Sequence, residues 1–445
     1  MAKKVLIAGL GKSGISAVAF FLRQGAKVEA FDGKMASDQK LMKRFPEAVF
    51  HFQKNPTGEE EADLVVISPG IPPDLPFVRR FSARGLEVTG DIEIAYRNSS
   101  SSAVAITGTN GKTTSTTLTG EIFRDFFSKV FVAGNIGNPI LDELPNFDEE
   151  TYVVTELSSF QLESVKTYRP HIAAILNITE DHLNRHKTME NYIAAKFRIF
   201  ENQKAGDFLV LNADDEILAS QKLKALSQIV FFSRKKELER GVFVSEGKIL
   251  STLSGEREEI MKLEEILLPG SHNLENILAC TAISLLAGVD ARTVQKRVST
   301  FRGVEHRIEW VREVEGVGYW NDSKATNPDS AIKAVEAFEQ PIVLIAGGMD
   351  KKSDFTQWIE ACKGKVKKMI LFGETKGIIA SRAEQLGFFE VKITENLKEA
   401  VQSAQEEAKS GDAVILSPAC ASWDMYPNFE ARGEEFKELV RNLQF

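Results

Sequence analysis

Three apolar runs, far apart in the chain, each break into glycine and then into a helical pattern. They are 5–8 before Gly9, 104–107 before Gly108, and 342–346 before Gly347 and Gly348. A strand that turns through glycine into a helix opens a parallel α/β sheet, whose ligands sit at the carboxyl ends of the strands. Three such openings predict an α/β chain of three domains, and 445 residues is too long for one ordinary core. The first domain is predicted over 1–97, ended by the polar stretch Asn98-Ser99-Ser100-Ser101-Ser102. The second is predicted over 98–301 and the third over 302–445, divided near Phe301-Arg302-Gly303. The outer two read as Rossmann-like and the middle one as a mostly parallel sheet of the phosphate-loop type. Short alternating segments at 241–244 and 248–250 predict a small antiparallel addition to it.

The middle opening is the most specific. Thr107-Gly108-Thr109-Asn110-Gly111-Lys112-Thr113-Thr114 places glycines, a lysine and threonines between strand and helix. Glycines let backbone N–H groups turn toward phosphate oxygens, and the following helix presents its positive end. Lys112 can reach the β- and γ-phosphates, and the Thr113 hydroxyl can ligate Mg²⁺. The spacing differs from the ordinary phosphate loop, because Ile106 stands where that pattern needs its first glycine. A plain Gly/Thr-rich turn is the competing reading, and nucleotide binding is preferred to it.

A bound triphosphate needs a metal, and the metal needs anionic ligands. The run Tyr152-Val153-Val154-Thr155 delivers Glu156 to a strand end, where a Mg²⁺ ligand would sit. Another strand, 171–175, leads into the acid-rich turn Thr179-Glu180-Asp181-His182; a lone histidine there is more often structural. A helix is predicted from about Met189 to Gln203, with Ile193, Phe197 and Phe200 on its apolar face. Lys196 lies within that stripe, either snorkelling past the core or desolvated for a purpose. A desolvated, neutral amine can capture CO₂ as a carbamate, an anion suited to Mg²⁺. From pattern alone, snorkelling ranks first.

In the first domain, Gly9, Gly11 and Gly14 with Asp32 at the end of the next strand match the dinucleotide fingerprint. Alone this points to an NAD-dependent oxidoreductase. The stronger phosphate loop elsewhere weakens that reading, and the same turn suits the diphosphate of a nucleotide-sugar. A formal charge of −8 argues against a general nucleic-acid binder. No run approaches the ~18 apolar residues of a membrane span. Cys280, Cys362 and Cys420 match no zinc spacing and read as buried thiols. A cytoplasmic protein is expected, with no export signal at its start.

Taken in order, these motifs resemble one family. The phosphate loop, Glu156-Leu157-Ser158-Ser159-Phe160-Gln161-Leu162, Asn177-Ile178-Thr179-Glu180-Asp181-His182-Leu183 and Tyr192-Ile193-Ala194-Ala195-Lys196-Phe197 look like the Mur ligases, which build the peptide stem of peptidoglycan. The resemblance covers essentially the whole chain. The tail Leu416-Ser417-Pro418-Ala419-Cys420-Ala421-Ser422-Trp423-Asp424 with Asn428-Phe429-Glu430-x-Arg432-Gly433 is most similar to the branch that adds D-glutamate, and Ser68-Pro69-Gly70-Ile71 fits that branch. So does Asn321-Asp322-Ser323-Lys324-Ala325-Thr326-Asn327.

The resemblance implies ATP-driven amide formation on UDP-N-acetylmuramoyl-L-alanine, through an acyl phosphate and a tetrahedral intermediate. It implies two Mg²⁺ ions, one held by Thr113 and Glu156, the other by His182 and a carbamylated Lys196, which reverses the ranking for that lysine. ATP would meet Gly108, Thr109, Asn110, Gly111, Lys112, Thr113 and Thr114, together with Asn273, Asn276, Arg307 and Asp322; Lys324 would lie near the transferring phosphate. Gly11, Ser13, Gly14, Asp32, Ser68 and Gly70 would line the uridine diphosphate, with Asn135 and Ser158 at the muramoyl-alanine end. D-glutamate would be gripped by Thr326, Lys351, Ser422 and Phe429. A monomer is expected, its domains closing around the ligands.

The chain departs from the family pattern at two places. Gly33-Lys34 follows Asp32 where a hydroxyl-bearing residue and an arginine are more typical, and Met349-Asp350-Lys351 follows the glycines where an acid is expected directly. The rivals are a sibling ligase for another amino acid, a folylpolyglutamate synthase, the oxidoreductase already mentioned and a nucleotide-switch binding protein.

Overall fold

The computed structural model describes residues 4–135, 138–220, 225–268, 270–349 and 353–443. The chain forms two compact units, Met1–Ile266 with Ser271–Thr300, and Leu267–Gly270 with Phe301–Phe445.

The first unit carries two sheets. β1 (Lys4–Ala8), β2 (Lys27–Asp32), β3 (Val49–Phe52), β4 (Leu64–Ile67) and β5 (Glu87–Thr89) are all parallel, in the order β3-β2-β1-β4-β5. The chain builds β2 and β3 to one side of β1 and then crosses to add β4 and β5 on the other, and this reversal makes a crevice at the carboxyl end of β1. Val5, Leu6 and Ile7 of β1 and Val65 of β4 are fully buried, because helices cover both faces of a parallel sheet.

The second sheet holds nine strands: β6 (Ser102–Thr107), β7 (Val130–Gly134), β8 (Tyr152–Glu156), β9 (Ile172–Ile175), β10 (Phe208–Asn212), β11 (Gln228–Ser233), β12 (Gly241–Ser245), β13 (Lys248–Ser251) and β14 (Glu258–Lys262). Their order is β14-β13-β12-β11-β10-β9-β6-β8-β7. Pairing is parallel from β7 across to β12, and only β13 and β14 run antiparallel to their neighbours. The antiparallel addition therefore extends the main sheet rather than standing apart from it.

One apolar core runs through both sheets, taking in Val5 and Val28 from the first, Ala105 and Ile175 from the second, and Ile92 and Leu141 from the helices Asp91–Arg97 and Ile140–Glu143. Polar contacts reinforce it. Ser16 Oγ donates to Asp142 Oδ1 at 2.7 Å. The fully buried Glu93 accepts from the N–H groups of Lys166, Thr167 and Tyr168 (2.8, 2.9 and 3.0 Å), from the Thr167 hydroxyl and from Arg97 Nε. Burial alone would raise its pKa, but these donors outweigh it and hold the carboxyl below the usual range.

In the second unit, β15 (Glu309–Val314), β16 (Val317–Asn321), β17 (Ile342–Gly347), β18 (Val366–Phe372), β19 (Val391–Ile393) and β20 (Ala413–Leu416) form a sheet ordered β15-β16-β20-β17-β18-β19. It is parallel apart from the β15–β16 hairpin. One face packs around Trp358 and the other around Phe436.

Helix starts divide into two kinds. Asp38, Thr188, Asp290, Asn327, Asn396 and Asn428 cap their helices with side-chain oxygens that accept first-turn N–H groups. The helices Lys12–Arg23 and Lys112–Arg124 start instead at Gly11 and Gly111, with no side-chain cap. Their first-turn donors meet no capping side chain, an arrangement that suits an anionic ligand.

One expected element is corrected. The helix predicted from Met189 to Gln203 is α-helical only over Met189–Phe197 and tightens into a 3₁₀ turn at Arg198–Phe200. Arg198 reaches back to the carbonyls of Glu163 and Val165, and the tighter turn buries Ile199 and Phe200 together. Cys280, Cys362 and Cys420 are buried and unbridged. Among the described residues no helix is long and apolar enough to cross a membrane.

Candidate active site

The carboxyl edge of the second sheet gathers the middle-domain candidates. Gly108 leaves β6 with φ +156°, and Gly111 opens the next helix with φ +80°, a conformation that disfavours side chains. Space demands glycine there too, since a β-carbon at 111 would lie 2.1 Å from the Asn276 side-chain oxygen. The loop is tied from behind: Thr109 N–H donates to the Asn177 carbonyl (3.0 Å) and Asn110 N–H to Asn177 Oδ1 (2.8 Å). The Thr109 hydroxyl meets the Thr179 carbonyl and Tyr192 OH at 3.1 and 3.0 Å. Lys112 Nζ folds over the turn and donates to the carbonyls of Gly108 and Thr109 (2.9 and 2.8 Å). Thr113 and Thr114 follow in the first helical turn, both buried.

Register puts Glu156 beside this loop, paired with Ile106 on one side and Gly134 on the other. Asn135 Nδ2 donates to Glu156 Oε1 at 2.7 Å. Glu156 Oε2 is buried with no hydrogen-bond partner among the described residues. A buried acceptor left open in this way is what a cation would satisfy, so the site fits a Mg²⁺ ion held by Glu156.

Lys196 is only 1% exposed. Its Nζ donates to the Gly108 carbonyl at 2.7 Å, lies 3.5 Å from Thr107 Oγ1 and sits 4.7 Å above the centre of the Tyr192 ring. Burial, followed by the charge of Lys112, pushes its pKa down to about 7 against the opposing pull of Asp181 and Glu156. The lysine is therefore desolvated, not snorkelling. Such an amine is substantially neutral at physiological pH, the form that can take up CO₂.

His182 belongs to the acid-rich turn whose Asp181 acts on Lys196. Half-exposed, with φ +54°, it rests against Phe160 (4.9 Å between rings) and has no hydrogen bond to Glu156 or Lys196 among the described residues. Ser158 caps the short helix Ser159–Leu162 in a reciprocal bond with Gln161. Asn273 and Asn276 share a 3.4 Å contact at the start of the helix Ser271–Leu286.

At the first sheet, the fingerprint glycines serve close approach. A β-carbon on Gly14 would lie 1.8 Å from the Gly9 carbonyl oxygen, while Gly11 and Gly70 face open space. Ser68 Oγ donates to that same carbonyl at 2.7 Å, and Ser13 bonds the buried Asp91. Asp32 accepts from the N–H groups of Leu10, Lys34 and Met35, each at 2.8 Å. Burial works against its ionised form, but these donors prevail and lower its pKa.

The second unit holds the remaining candidates at the carboxyl ends of β16 and β20. Asp322 accepts from Ser417 Oγ (2.7 Å) and Ile308 N–H (3.3 Å), and its burial pushes the pKa up to about 7 despite Ser417 and the charge of Arg307. Lys324 N–H donates to the His306 carbonyl at 3.0 Å, and Thr326 turns back on Lys324. Ser422 is buried at a turn, and Phe429 opens the final helix with its ring 6.0 Å from His306. Lys351 lies outside the described residues.

Several supporting residues escaped the sequence reading of the site. Tyr192 bridges Lys196 and Thr109, and its position four residues before Lys196 on one helix was the available signal. Asn177 was visible in its motif, but not its hold on Asn110. Arg432 was visible in the tail motif, but not its role: it is fully buried and donates to Ser323 Oγ, Ser323 O, Ala421 O and Cys420 O at 3.0, 2.9, 3.3 and 3.2 Å. Burial lowers its pKa to about 10, which still leaves it charged.

The chain matches three family models: a Mur ligase MurD-like N-terminal domain over residues 3–90, a Mur ligase middle domain over 106–284, and a Mur ligase glutamate ligase domain over 306–420. It is 48% identical to the UDP-N-acetylmuramoylalanine–D-glutamate ligase of Alkaliphilus oremlandii (strain OhILAs), over 99% of both chains. The enzyme of that name from Clostridioides difficile (strain 630) is 45% identical, again over 99% of both. Among solved structures, the UDP-N-acetylmuramate-alanine ligase MurC of Thermotoga maritima aligns at TM-score 0.58 and 19% identity, covering 99% of each chain. The MurF ligase of Thermotoga maritima in complex with ADP aligns at 0.57 and 17%, covering 99% of this chain and 95% of that one. At those identities the structural likeness speaks for the fold.

Proposed function

The chain belongs to the Mur ligase family, and we propose from that premise that it is the member adding D-glutamate to UDP-N-acetylmuramoyl-L-alanine at the cost of ATP. It works in peptidoglycan precursor synthesis. The observation that carries this reading is 48% identity along 99% of both chains to a relative named for that reaction.

A carboxylate is a poor electrophile toward amines, so it must first gain a leaving group. The alanyl carboxylate attacks the γ-phosphorus of ATP, giving an acyl phosphate and ADP. The amine of D-glutamate then adds to the acyl carbon, and the tetrahedral adduct collapses to the amide as inorganic phosphate leaves. The uncapped N-terminus at Gly111 and the Lys112 ammonium supply positive charge for the β- and γ-phosphates. On nucleotide entry, Lys112 Nζ exchanges the carbonyls of Gly108 and Thr109 for phosphate oxygens. Asn135 fixes the direction of the Glu156 carboxylate.

Thr113 and Glu156 would hold one Mg²⁺, and His182 with a carbamylated Lys196 a second. These ions would neutralise charge on the phosphates and the acyl group. The neutral, buried amine of Lys196 supports the carbamate assignment: its nitrogen adds to CO₂ and loses a proton. In the first sheet, the turn from Gly9 to Gly14 with Ser68 would take the uridine diphosphate, its donors left open at Gly11. Asn273, Asn276, Arg307 and Asp322 would contact the nucleotide, with Lys324 near the transferring phosphate. Thr326, Lys351, Ser422 and Phe429 would receive D-glutamate.

The test is phosphate release with ATP, Mg²⁺ and UDP-N-acetylmuramoyl-L-alanine across a panel of D- and L-amino acids. Release with D-glutamate alone is expected. Release with L-alanine, a diamino acid or a dipeptide instead would assign the chain to a sibling reaction.

A further inference from the structure

Arg307 stands in a turn that a polypeptide backbone does not adopt willingly. His306 before it and Ile308 after it both have positive φ, +62° and +46°, and a β-branched residue is rarely found in that region. Two such residues around one side chain persist only where their surroundings over-determine them. Backbone groups do part of this. The Arg307 N–H donates to the Val304 carbonyl at 3.0 Å, while the His306 carbonyl and the Ile308 N–H are tied to Lys324 and Asp322.

The rest of the hold comes from the final helix, Phe429–Arg441. Lys437 is buried there, an unusual place for a lysine unless it is paired. Its Nζ donates to Glu305 Oε1 at 2.5 Å and lies 2.7 Å from Glu434 Oε1 and 3.3 Å from Glu309 Oε1. Glu305 and Glu309 flank the strained residues 306–308, so one ammonium gathers both ends of the turn. Glu309 carries the hold inward, since its Oε2 accepts from the His306 N–H (2.8 Å) and from Asn321 Nδ2 (3.0 Å). His306 is seated on the same helix, where a β-carbon at Gly433 would fall 2.2 Å from its Nδ1. Burial works against the charge on Lys437, but Glu305, Glu434 and Glu309 prevail and raise its pKa.

For stability alone, an apolar residue serves a buried position as well as a paired charge does. What the charge adds is a fixed geometry. Without the ammonium, three carboxylates would crowd one place, and their repulsion would part Glu305 from Glu309 and open the turn. We propose that Lys437 is a positioning residue for the nucleotide: by drawing Glu305 and Glu309 together, it holds the strained turn that presents Arg307. It acts through that turn and not by contact with the ligand. This rests on the reading above in which Arg307 contacts ATP.

The test is calorimetric titration of the full-length protein with MgATP and, separately, with UDP-N-acetylmuramoyl-L-alanine, so that no turnover occurs. Lys437→Met should weaken ATP about tenfold and leave the acceptor unchanged, and Lys437→Arg should recover most of the loss. Arg307→Ala should weaken ATP at least as much, and adding Lys437→Met to it should cost nothing further. Glu305→Ala removes an exposed side chain that the fold can spare, and should weaken ATP in the same direction by a smaller factor. Wild-type ATP affinity in Lys437→Met, or in Glu305→Ala should Lys437→Met not fold, overturns the proposal. So do additive losses in the double variant, or a parallel fall in acceptor affinity. Unchanged ATP affinity in Arg307→Ala overturns instead the nucleotide reading beneath it.

Discussion

Asn135 Nδ2 lies 2.7 Å from one oxygen of Glu156, and the other oxygen of that carboxylate is buried with no donor among the described residues. The pair is half of a polar contact awaiting its third member. Glu156→Gln keeps the acceptor for Asn135 and puts an amide in place of the open oxygen. Phosphate release should fall about 10²-fold or more, while the melting temperature stays within a degree or two. A variant of normal activity at limiting Mg²⁺ would remove Glu156 from the metal site.

Lys196→Ala should abolish turnover, by roughly 10²-fold or more, because the carbamate oxygens go with the amine. Formate or acetate should restore part of the activity by occupying the vacated space. Full activity in the unsupplemented alanine variant would show that no carbamate is needed.

Asp322 gives a pH signature in stability. Its carboxyl is raised to about 7 in the folded chain by burial and returns to the ordinary range, near 3.8, on unfolding. Between those values the folded form holds the extra proton, so this residue makes stability fall as pH rises through the window, and the loss is complete above it. Asp322→Asn should flatten that decline, so the variant gains in melting temperature relative to wild type between pH 4 and 8. ATP affinity should fall at the same time. Parallel pH–melting curves for the two proteins would contradict the assignment.

Arg432→Lys looks mild and should not be. The guanidinium satisfies four buried oxygens from a fixed plane, and an ammonium cannot reach them all. Each acceptor left bare costs about 1–3 kcal/mol, so a fall of roughly 5 °C or more is expected by scanning calorimetry.

What the sequence disclosed followed from local rules. Glycine-ended strands announced parallel sheets, and the spacing around Lys112 announced the phosphate loop, because both depend on residues adjacent in the chain. Lys196 was legible as an anomaly in an apolar stripe, but its environment was not. The carbonyl of Gly108 reaches it only after β6 and the helix Met189–Phe197 are packed. The 3₁₀ turn at Arg198 was hidden for a like reason, since Arg198 is drawn out of line by carbonyls more than thirty residues earlier.

The clasp around Glu93 sets where the polypeptide tolerates being cut. The polar stretch 98–102 looks like a hinge between separable pieces, yet severing it and discarding the front portion would leave Lys166, Thr167 and Tyr168 with inward-facing amides and no acid to receive them. A truncation that respects the packing keeps the leading two sheets together. Anyone preparing a nucleotide-binding fragment for crystallisation or screening should divide the gene after Thr300 rather than after Arg97.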